Sequence, residues 1–225
     1  MELASGLWPS GELLALLETE LGAAFDHVTA GAPLADDHAP SACLGLLRLR
    51  EPGEDGLLAL EGSLLGDVVV LIPAENGIAR WTDERAKPFE RRTLAALGGR
   101  GHEPGSIPEA VKRQILENRT KLNHPDGYWV VNPRRPWAGR ELRFEARLVM
   151  GQPIVLATDG FMRLVDVFAA YSDASLHACL SAGRGDDLMQ ELRELERGDP
   201  MAGAHPRVKT HDDATVIVIA AEAHG

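Results

Sequence analysis

Residues 153–160 read Pro-Ile-Val-Leu-Ala-Thr-Asp-Gly, a short apolar run that ends abruptly in a polar pair. A nearly continuous apolar run of this length, bounded by turn residues, is typical of a strand that is buried on both faces. Such a strand needs other layers of structure on both sides of its sheet. The sequence therefore predicts an internal strand over residues 153–158, with Asp159 at its carboxyl end.

A second buried strand is predicted near the end of the sequence, where His211-Asp212-Asp213-Ala214 leads into an apolar run over residues 215–221. Shorter segments with strand character cover residues 42–49, 57–60, 67–72, 78–81 and 142–149. Asn76-Gly77 is a tight-turn signal between two of these segments. Closely spaced strands joined by short turns favour antiparallel sheets over alternating parallel units.

Helices are predicted around these strands. Leu13, Leu17 and Leu21 recur at helical spacing, which places a helix over residues 10–25. Further helices are predicted over residues 84–97, 106–122, 161–171 and 188–197. The order helix, strands, helices, strands, helices, strand predicts an α+β fold with helices packed on antiparallel sheets. The sequence contains no repeat or linker, so residues 1–225 are expected to form a single domain.

Composition narrows the classes of partner. The 225 residues include 23 Lys and Arg against 34 Asp and Glu, a formal charge of −11 that argues against nucleic acid or an anionic membrane as the partner. No apolar run is long enough to span a membrane and no secretory signal is visible, so a cytoplasmic protein is expected. Cys43 and Cys179 lie far apart, which predicts neither a disulfide framework nor a zinc cage, and both are expected to pack as small hydrophobes.

Acidic residues occur at the ends of three predicted strands. Asp67 opens a strand after a glycine, Asp159 ends a strand, and Asp212 precedes the last strand. Side chains at strand ends can converge on one cleft, and clustered carboxylates repel one another unless a cation neutralises them. Mg²⁺ and Mn²⁺ select oxygen ligands, and a metal-bound water becomes a nucleophile near neutral pH. Asp-Gly pairs are also common turn formers, so a purely structural role stays open.

Several motifs resemble those of one enzyme family. Leu156-Ala-Thr-Asp-Gly-Phe161 resembles the Leu-x-Thr-Asp-Gly segment of type 2C metal-dependent (PPM-type) serine/threonine protein phosphatases. His211-Asp-Asp-Ala-Thr215 resembles their C-terminal Asp-Asn/Asp-x-Ser/Thr segment, and Leu65-Gly66-Asp67 is similar to the Gly-Asp-Ser at which one of their strands begins. Residues 81–85 and 123–130 are similar to further segments of the family, the latter in bacterial members. The matches follow the family order from about Pro40 onwards.

The resemblance implies a β-sandwich of two antiparallel sheets flanked by helices, in α-β-β-α layers, with a two-metal Mg²⁺ or Mn²⁺ site at one edge. Asp159 would be a ligand to the second metal and Asp212 to the first, while Asp67 would sit beside the cluster, through water or an extra metal. The implied reaction is hydrolysis of phosphoserine or phosphothreonine by metal-activated water, without a covalent intermediate. The implied partner in bacterial signalling is a phosphoprotein substrate or a cognate kinase.

Charged residues beside these motifs are further candidates. His211 is a candidate for proton transfer to the leaving alkoxide, although a histidine beside an acidic pair is more often simply hydrogen-bonded. Arg207 and Lys209 are candidate contacts for the substrate phosphate, although neutralising the acidic site is an equally simple role. Asp83 reads as a helix N-cap or as a carboxylate behind the metal ligands, and the cap is favoured. The Asp36-Asp37-His38 cluster reads as a solvated loop rather than as substitute ligands.

One family motif has no counterpart in this sequence. Family members carry an N-terminal Asp-Gly motif whose Asp bridges both metals, and nothing before the helix that begins at Ser10 matches it. We therefore expect an N-terminally shortened domain that lacks the first strands, binds metal weakly and hydrolyses its substrate slowly or not at all. A pseudophosphatase, that is, a regulatory binding module without catalysis, and a purely structural domain are the alternatives. An edge left by missing strands would favour a homodimer.

Overall fold

The computed structural model describes residues 10–29, 38–50, 52–99 and 101–220. In these ranges the chain has the predicted α+β fold, with two antiparallel sheets and flanking helices. The helices are α1 (Ser10–Thr29), α2 (Lys87–Ala95), α3 (Glu109–Arg119), α4 (Asp159–Asp166), α5 (Asp173–Ser181) and α6 (Gly185–Gly198), with a 3₁₀ turn at Glu84–Ala86. The strands are β1 (Leu44–Arg50), β2 (Leu57–Leu65), β3 (Val69–Ala74), β4 (Gly77–Trp81), β5 (Leu142–Val149), β6 (Ile154–Ala157) and β7 (Val216–Ile219).

The two sheets have the strand orders β1-β2-β5 and β4-β3-β6-β7, and every neighbouring pair is antiparallel. The Asn76-Gly77 signal marks the β3–β4 hairpin, in which Ala74 pairs with Gly77. Gly77 has a φ of +117°, a conformation that favours glycine. The predicted internal strand is β6, which lies between β3 and β7.

The side chains of β3 alternate between two cores, which places the sheets in a sandwich. Val70 faces the first sheet and packs in one cluster with Leu60 and Leu148. Leu71 faces the other way, into a cluster with Phe161 and other side chains of α4, α5 and α6. Residues one apart on a strand point to opposite faces of its sheet, so β3 is buried on both faces as an internal layer.

Helix α1 covers the outer face of the first sheet. Its Leu14 is fully buried against Leu65 of β2 and against Trp137. The Glu18 carboxylate fixes this packing by accepting hydrogen bonds from the backbone N–H groups of Trp137 and Ala138. With α4–α6 outside the second sheet, the layers follow the order α-β-β-α that the resemblance implied.

Several element boundaries differ from the predictions. The helix predicted over residues 106–122 starts at Glu109, because Ser106 bonds back to the Glu103 carbonyl oxygen and Pro108 occupies the N-cap position. Helix α5 was not predicted at all. The helix predicted over residues 161–171 begins two residues earlier, at Asp159, and ends at Asp166.

Two smaller predictions concern acidic loop residues. Asp83 is the N-cap of the 3₁₀ turn that leads into α2, because its Oδ1 accepts a hydrogen bond from the Arg85 backbone N–H at 3.0 Å. The predicted cap is thus confirmed. Asp36 and Asp37 lie outside the described residues, and His38 is exposed. None of the helices in the described ranges is both long and apolar enough to cross a membrane.

Candidate active site

The pairing of β3, β6 and β7 brings Asp67, Asp159 and Asp212 to the same end of the second sheet, which is the sheet edge meant below. Val69 of β3 pairs with Ala157 of β6, and Ala157 pairs with Val216 of β7. Continuing the first register by two residues places Asp67 opposite Asp159. Beyond the second pair, the Thr158 N–H donates to the Thr215 carbonyl oxygen at 3.0 Å, which holds the segment after β6 against the segment before β7.

Close backbone packing at Gly160 joins Asp159 to the pair Asp212-Asp213. A Cβ atom placed on Gly160 would lie 2.1 Å from the Asp213 carbonyl oxygen and 3.4 Å from the Asp212 Cβ. No side chain fits in that space, so a glycine is required at position 160 for packing. Asp159 therefore lies directly beside Asp212, although the two are far apart in the sequence.

Both burial and the neighbouring carboxylates affect the pKa of Asp159. Partial burial raises the pKa of Asp159 to about 6, and the negative charges of Asp67 and then Asp212 add to the effect. The Gly160 N–H and Arg163 act in the opposite direction without cancelling it. A carboxyl group with a raised pKa beside like charges is typical of acidic functional sites.

Glu90 of α2 is a fourth carboxylate at this site, and the sequence analysis missed it. Partial burial raises the pKa of Glu90 to about 7, helped by the charges of Asp67 and Asp159 and by a hydrogen bond with Asp67. Protonated Glu90 is the natural donor in that bond. No sequence signal separates Glu90 from the other acidic residues of this helical region, because its role depends on where α2 docks.

Cys43 also contacts Asp67, and its role differs from the expected packing as a small hydrophobe. The Cys43 Sγ donates a hydrogen bond to Asp67 Oδ1 at 2.9 Å. Burial raises the pKa of the thiol well above its usual range, and the charge of Asp67 raises it further. The thiol therefore stays protonated, as a donor to the acidic site.

Two cations hold Asp212. Arg163 of α4 donates from Nη2 to Asp212 Oδ2 at 2.9 Å, and Lys209 donates from Nζ to Asp212 Oδ1 at 2.8 Å. The hydrogen bond to Asp212 is also the main reason why the pKa of Lys209 lies above its ordinary value. Both carboxylate oxygens of Asp212 are thus engaged by protein donors.

The buried carboxylate of Glu196 binds three side chains close to Asp212. Glu196 of α6 is 0% exposed and accepts hydrogen bonds from Arg163 at 2.9 Å, Arg193 at 2.6 Å and His211 Nδ1 at 2.9 Å. Burial acts to raise the pKa of Glu196, but the hydrogen bonds from His211, Arg193 and Arg163 outweigh it and leave the pKa below its ordinary value. The ionised carboxylate fixes the His211 ring, with Nδ1–H as the donor.

Arg207 lies elsewhere. It is 3% exposed, and its guanidinium donates to Asp199 Oδ2 at 2.7 Å and to the carbonyl oxygens of Thr210 at 3.1 Å and His205 at 2.8 Å. These bonds hold together the loop between α6 and β7. The structure thus groups Lys209 and His211 with Asp212, whereas the phosphate contact predicted for Arg207 gains no support from its placement.

The donor set can be tested for fit to a divalent cation. Asp67, Asp159, Asp212 and Glu90 offer only oxygen ligands, and their mutual repulsion is what a hard dication would relieve. Across the ranges that the structure describes, no three His, Cys, Asp or Glu side chains form a ready-made ligand group. Mg²⁺ often takes only one or two carboxylates and keeps several waters, so the chemistry fits an ion held by Asp159 with Asp67 or Asp212.

The sequence was compared with protein-family models and with curated proteins. No protein-family model matches the chain, and a search of curated proteins found no match. The likeness to type 2C phosphatases therefore rests on the motifs quoted above.

Proposed function

We propose that this chain is a type 2C-like phosphatase domain that hydrolyses phosphoserine or phosphothreonine with the help of Mg²⁺ or Mn²⁺. The observation that carries the proposal is the meeting of Asp67, Asp159 and Asp212 at one sheet edge, where partial burial and then the charges of Asp67 and Asp212 raise the pKa of Asp159 to about 6. A divalent ion bound there would supply an activated water and charge neutralisation for the phosphoryl group.

The residues of the chain have separate parts in this proposal. Asp159 would hold the ion together with Asp67 or Asp212, and the remaining carboxylate would bind one of the waters that the ion keeps. His211 donates its Nδ1–H to Glu196 at 2.9 Å, which leaves Nε2 to carry a proton to the leaving serine or threonine oxygen. Lys209 is the exposed cation at Asp212 and can contact the phosphate.

We expect weak metal binding and slow hydrolysis. Both oxygens of Asp212 are held by Arg163 and Lys209, and Asp67 is engaged by Cys43 and Glu90. An incoming ion must displace some of these donors, and each displaced charge-assisted bond costs affinity.

The second candidate is a pseudophosphatase that binds a phosphoprotein or a cognate kinase without catalysis. The same ion pairs favour it, because Arg163 and Lys209 satisfy the charge of Asp212 without a metal. For either function we propose a cytoplasmic location, in keeping with the unpaired thiols of Cys43 and Cys179.

Turnover of a phosphothreonine peptide, measured while Mn²⁺ is titrated, tests the proposal. We expect Mn²⁺-dependent phosphate release that falls at least about tenfold in Asp159→Asn and Asp212→Asn, the equivalent of about 1.4 kcal/mol or more of transition-state stabilisation. Asp186→Asn, an exposed carboxylate in the first turn of α6, is the matched control and should keep wild-type turnover.

The other outcomes separate the alternatives. Binding of the phosphothreonine peptide without phosphate release, whether or not Mn²⁺ binds, would favour the pseudophosphatase. A chain that binds neither Mn²⁺ nor the peptide and releases no phosphate would contradict both functions and leave the acidic strand ends with a structural role.

A further inference from the structure

A pocket of about 340 Å³ opens beside the acidic site. It is lined by Arg193, Lys209, His211, Asp212 and Asp213. Arg193 comes from α6, whereas the other four belong to the segment before β7. Three nitrogen-bearing side chains and two carboxylates thus line one concave surface, and Asp212 belongs both to this pocket and to the proposed metal site.

Arg193 is the residue of this pocket that the sequence analysis did not consider. Its guanidinium is one-third exposed, and Nη1 donates to Glu196 Oε2 at 2.6 Å. A guanidinium carries five N–H donors in a planar fork, and this ion pair uses one of them. The bond to a buried carboxylate fixes the fork at the pocket wall, where other donors can meet a ligand.

Lys209 and His211 line the same pocket from the segment before β7. Both side chains are more than half exposed, and each is anchored at a single carboxylate, Lys209 at Asp212 and His211 at Glu196. The ammonium group and the imidazole are therefore held in place without being buried. Together with Arg193 they offer three kinds of nitrogen donor to one ligand.

Charge balance in the pocket is set by a cation behind it. Arg163 is 7% exposed and bridges Glu196 and Asp212, with 2.9 Å to each. Arg163, Arg193 and Lys209 together balance the carboxylates of Glu196, Asp212 and Asp213, so the pocket carries no surplus positive charge. An anion entering the pocket would therefore be held through the N–H groups of Arg193, Lys209 and His211 that these ion pairs leave unused.

We propose that this pocket binds the phosphoryl group of a phosphoserine- or phosphothreonine-containing polypeptide, with Arg193 as the principal contact. The assignment deepens the proposed function and rests on it for the identity of the substrate. A guanidinium matches two oxygens of a phosphoryl group at once, which an ammonium cannot do. Arg193 thus supplies the phosphate contact for which the sequence had suggested Arg207.

Binding measured without turnover tests this assignment. The full chain is titrated with a fluorescent phosphothreonine peptide in the presence of a metal chelator. We expect Arg193→Gln and Lys209→Ala each to weaken binding at least about fivefold, the loss of one charge-assisted contact. Arg197→Gln, an exposed arginine one turn further along α6, removes the same charge and should bind within about twofold of wild type.

Two further measurements show that the site recognises the phosphoryl group. Inorganic phosphate should compete with the peptide, and the unphosphorylated peptide should bind at least about tenfold more weakly. Arg193→Gln keeps an N–H donor for Glu196, and Lys209 is exposed, so both variants should show wild-type circular dichroism.

Asp159→Asn separates this inference from the proposed function. This variant should keep peptide binding in chelator while it loses Mn²⁺-dependent turnover. If turnover is absent but binding depends on Arg193 and Lys209, the pocket assignment stands and the catalytic proposal falls. Wild-type affinity in both pocket variants, no peptide binding by the wild type, or no competition by phosphate would overturn the assignment.

Discussion

Glu90 and Asp67 form a pair in which the Glu90 carboxyl group titrates near neutral pH instead of near its ordinary pKa. The pKa of Glu90 is raised to about 7 by partial burial, by the charges of Asp67 and Asp159 and by the hydrogen bond with Asp67. In the unfolded chain the same group loses its proton near its ordinary pKa of about 4.3. The folded state therefore binds more protons than the unfolded state between these two values.

This difference gives the first stability prediction. Below about pH 4 both states are protonated and Glu90 has no net effect, whereas above pH 7 the folded state carries the full cost of ionisation. Glu90→Gln removes that cost, so we expect it to raise the free energy of unfolding by about 1 kcal/mol at pH 8 and to leave it unchanged at pH 4. The figure of about 1 kcal/mol is reduced from the full pKa difference because solvent screens this partly exposed group.

Urea unfolding at the two pH values, without divalent cations, measures the effect. Glu117→Gln, an exposed carboxylate of α3, is the control and should change little at either pH. A Glu90→Gln variant that is less stable than wild type at pH 8 would contradict the repulsion described at this site.

The sequence located some site residues and missed others for a physical reason. Asp159 and Asp212 stand at the ends of apolar strands, so their convergence follows from antiparallel pairing of β6 and β7. Glu90 and Glu196 lie on helices, and a helical pattern does not predict which sheet edge the helix will dock against. Arg207 lies near Asp212 in sequence, but in a loop that spacing does not determine the direction of a side chain, and its guanidinium binds Asp199 instead.

At the scale of elements, the β6–α4 junction depends on the absence of a side chain at Gly160. The Asp213 carbonyl oxygen occupies the position where a Cβ would lie, at 2.1 Å. Gly160→Ala must push the segment before β7 away from α4. We expect a loss of about 2 kcal/mol or more in the free energy of unfolding, with faster amide hydrogen exchange in β7.

A matched glycine shows that the effect belongs to this contact. Gly185 begins α6 and its nearest neighbour is a Leu180 methyl group 4.0 Å from the added Cβ, so Gly185→Ala should be neutral or stabilising by up to about 1 kcal/mol. Equal stability of Gly160→Ala and wild type would contradict the close contact between Gly160 and the Asp213 carbonyl oxygen.

The elements that were predicted well from the sequence are those with a clear pattern of apolar residues. The strand over residues 142–149 and the internal strand β6 were found with nearly correct bounds, because their apolar residues meet a core. Helix α5 was missed, since only Leu176 and Leu180 mark its buried face together with His177. Its first turn is closed by a capping box between Ser172 and Ser175, but the usual sequence signature has Glu or Gln in place of Ser175.

At the scale of the whole molecule, the second sheet connects two cores. Leu71 of β3 packs under α4–α6, whereas Val70, its neighbour in sequence, packs against the first sheet beside Leu60. If residues 1–225 form a single domain, the two cores should unfold together. Strand β3 contributes side chains to both cores, so disrupting one core should also displace β3 from the other.

This coupling gives the last prediction. Leu71→Ala and Leu60→Ala create cavities in different cores, and each should lower the free energy of unfolding by about 2–5 kcal/mol. Because β3 is shared, tryptophan fluorescence and far-ultraviolet circular dichroism should follow one transition with the same midpoint in both variants. Leu116→Ala, on the exposed face of α3, controls for loss of a leucine and should cost less than about 0.5 kcal/mol. Two separate transitions in either core variant would mean that the two cores unfold independently, and the chain would then behave as more than one folding unit.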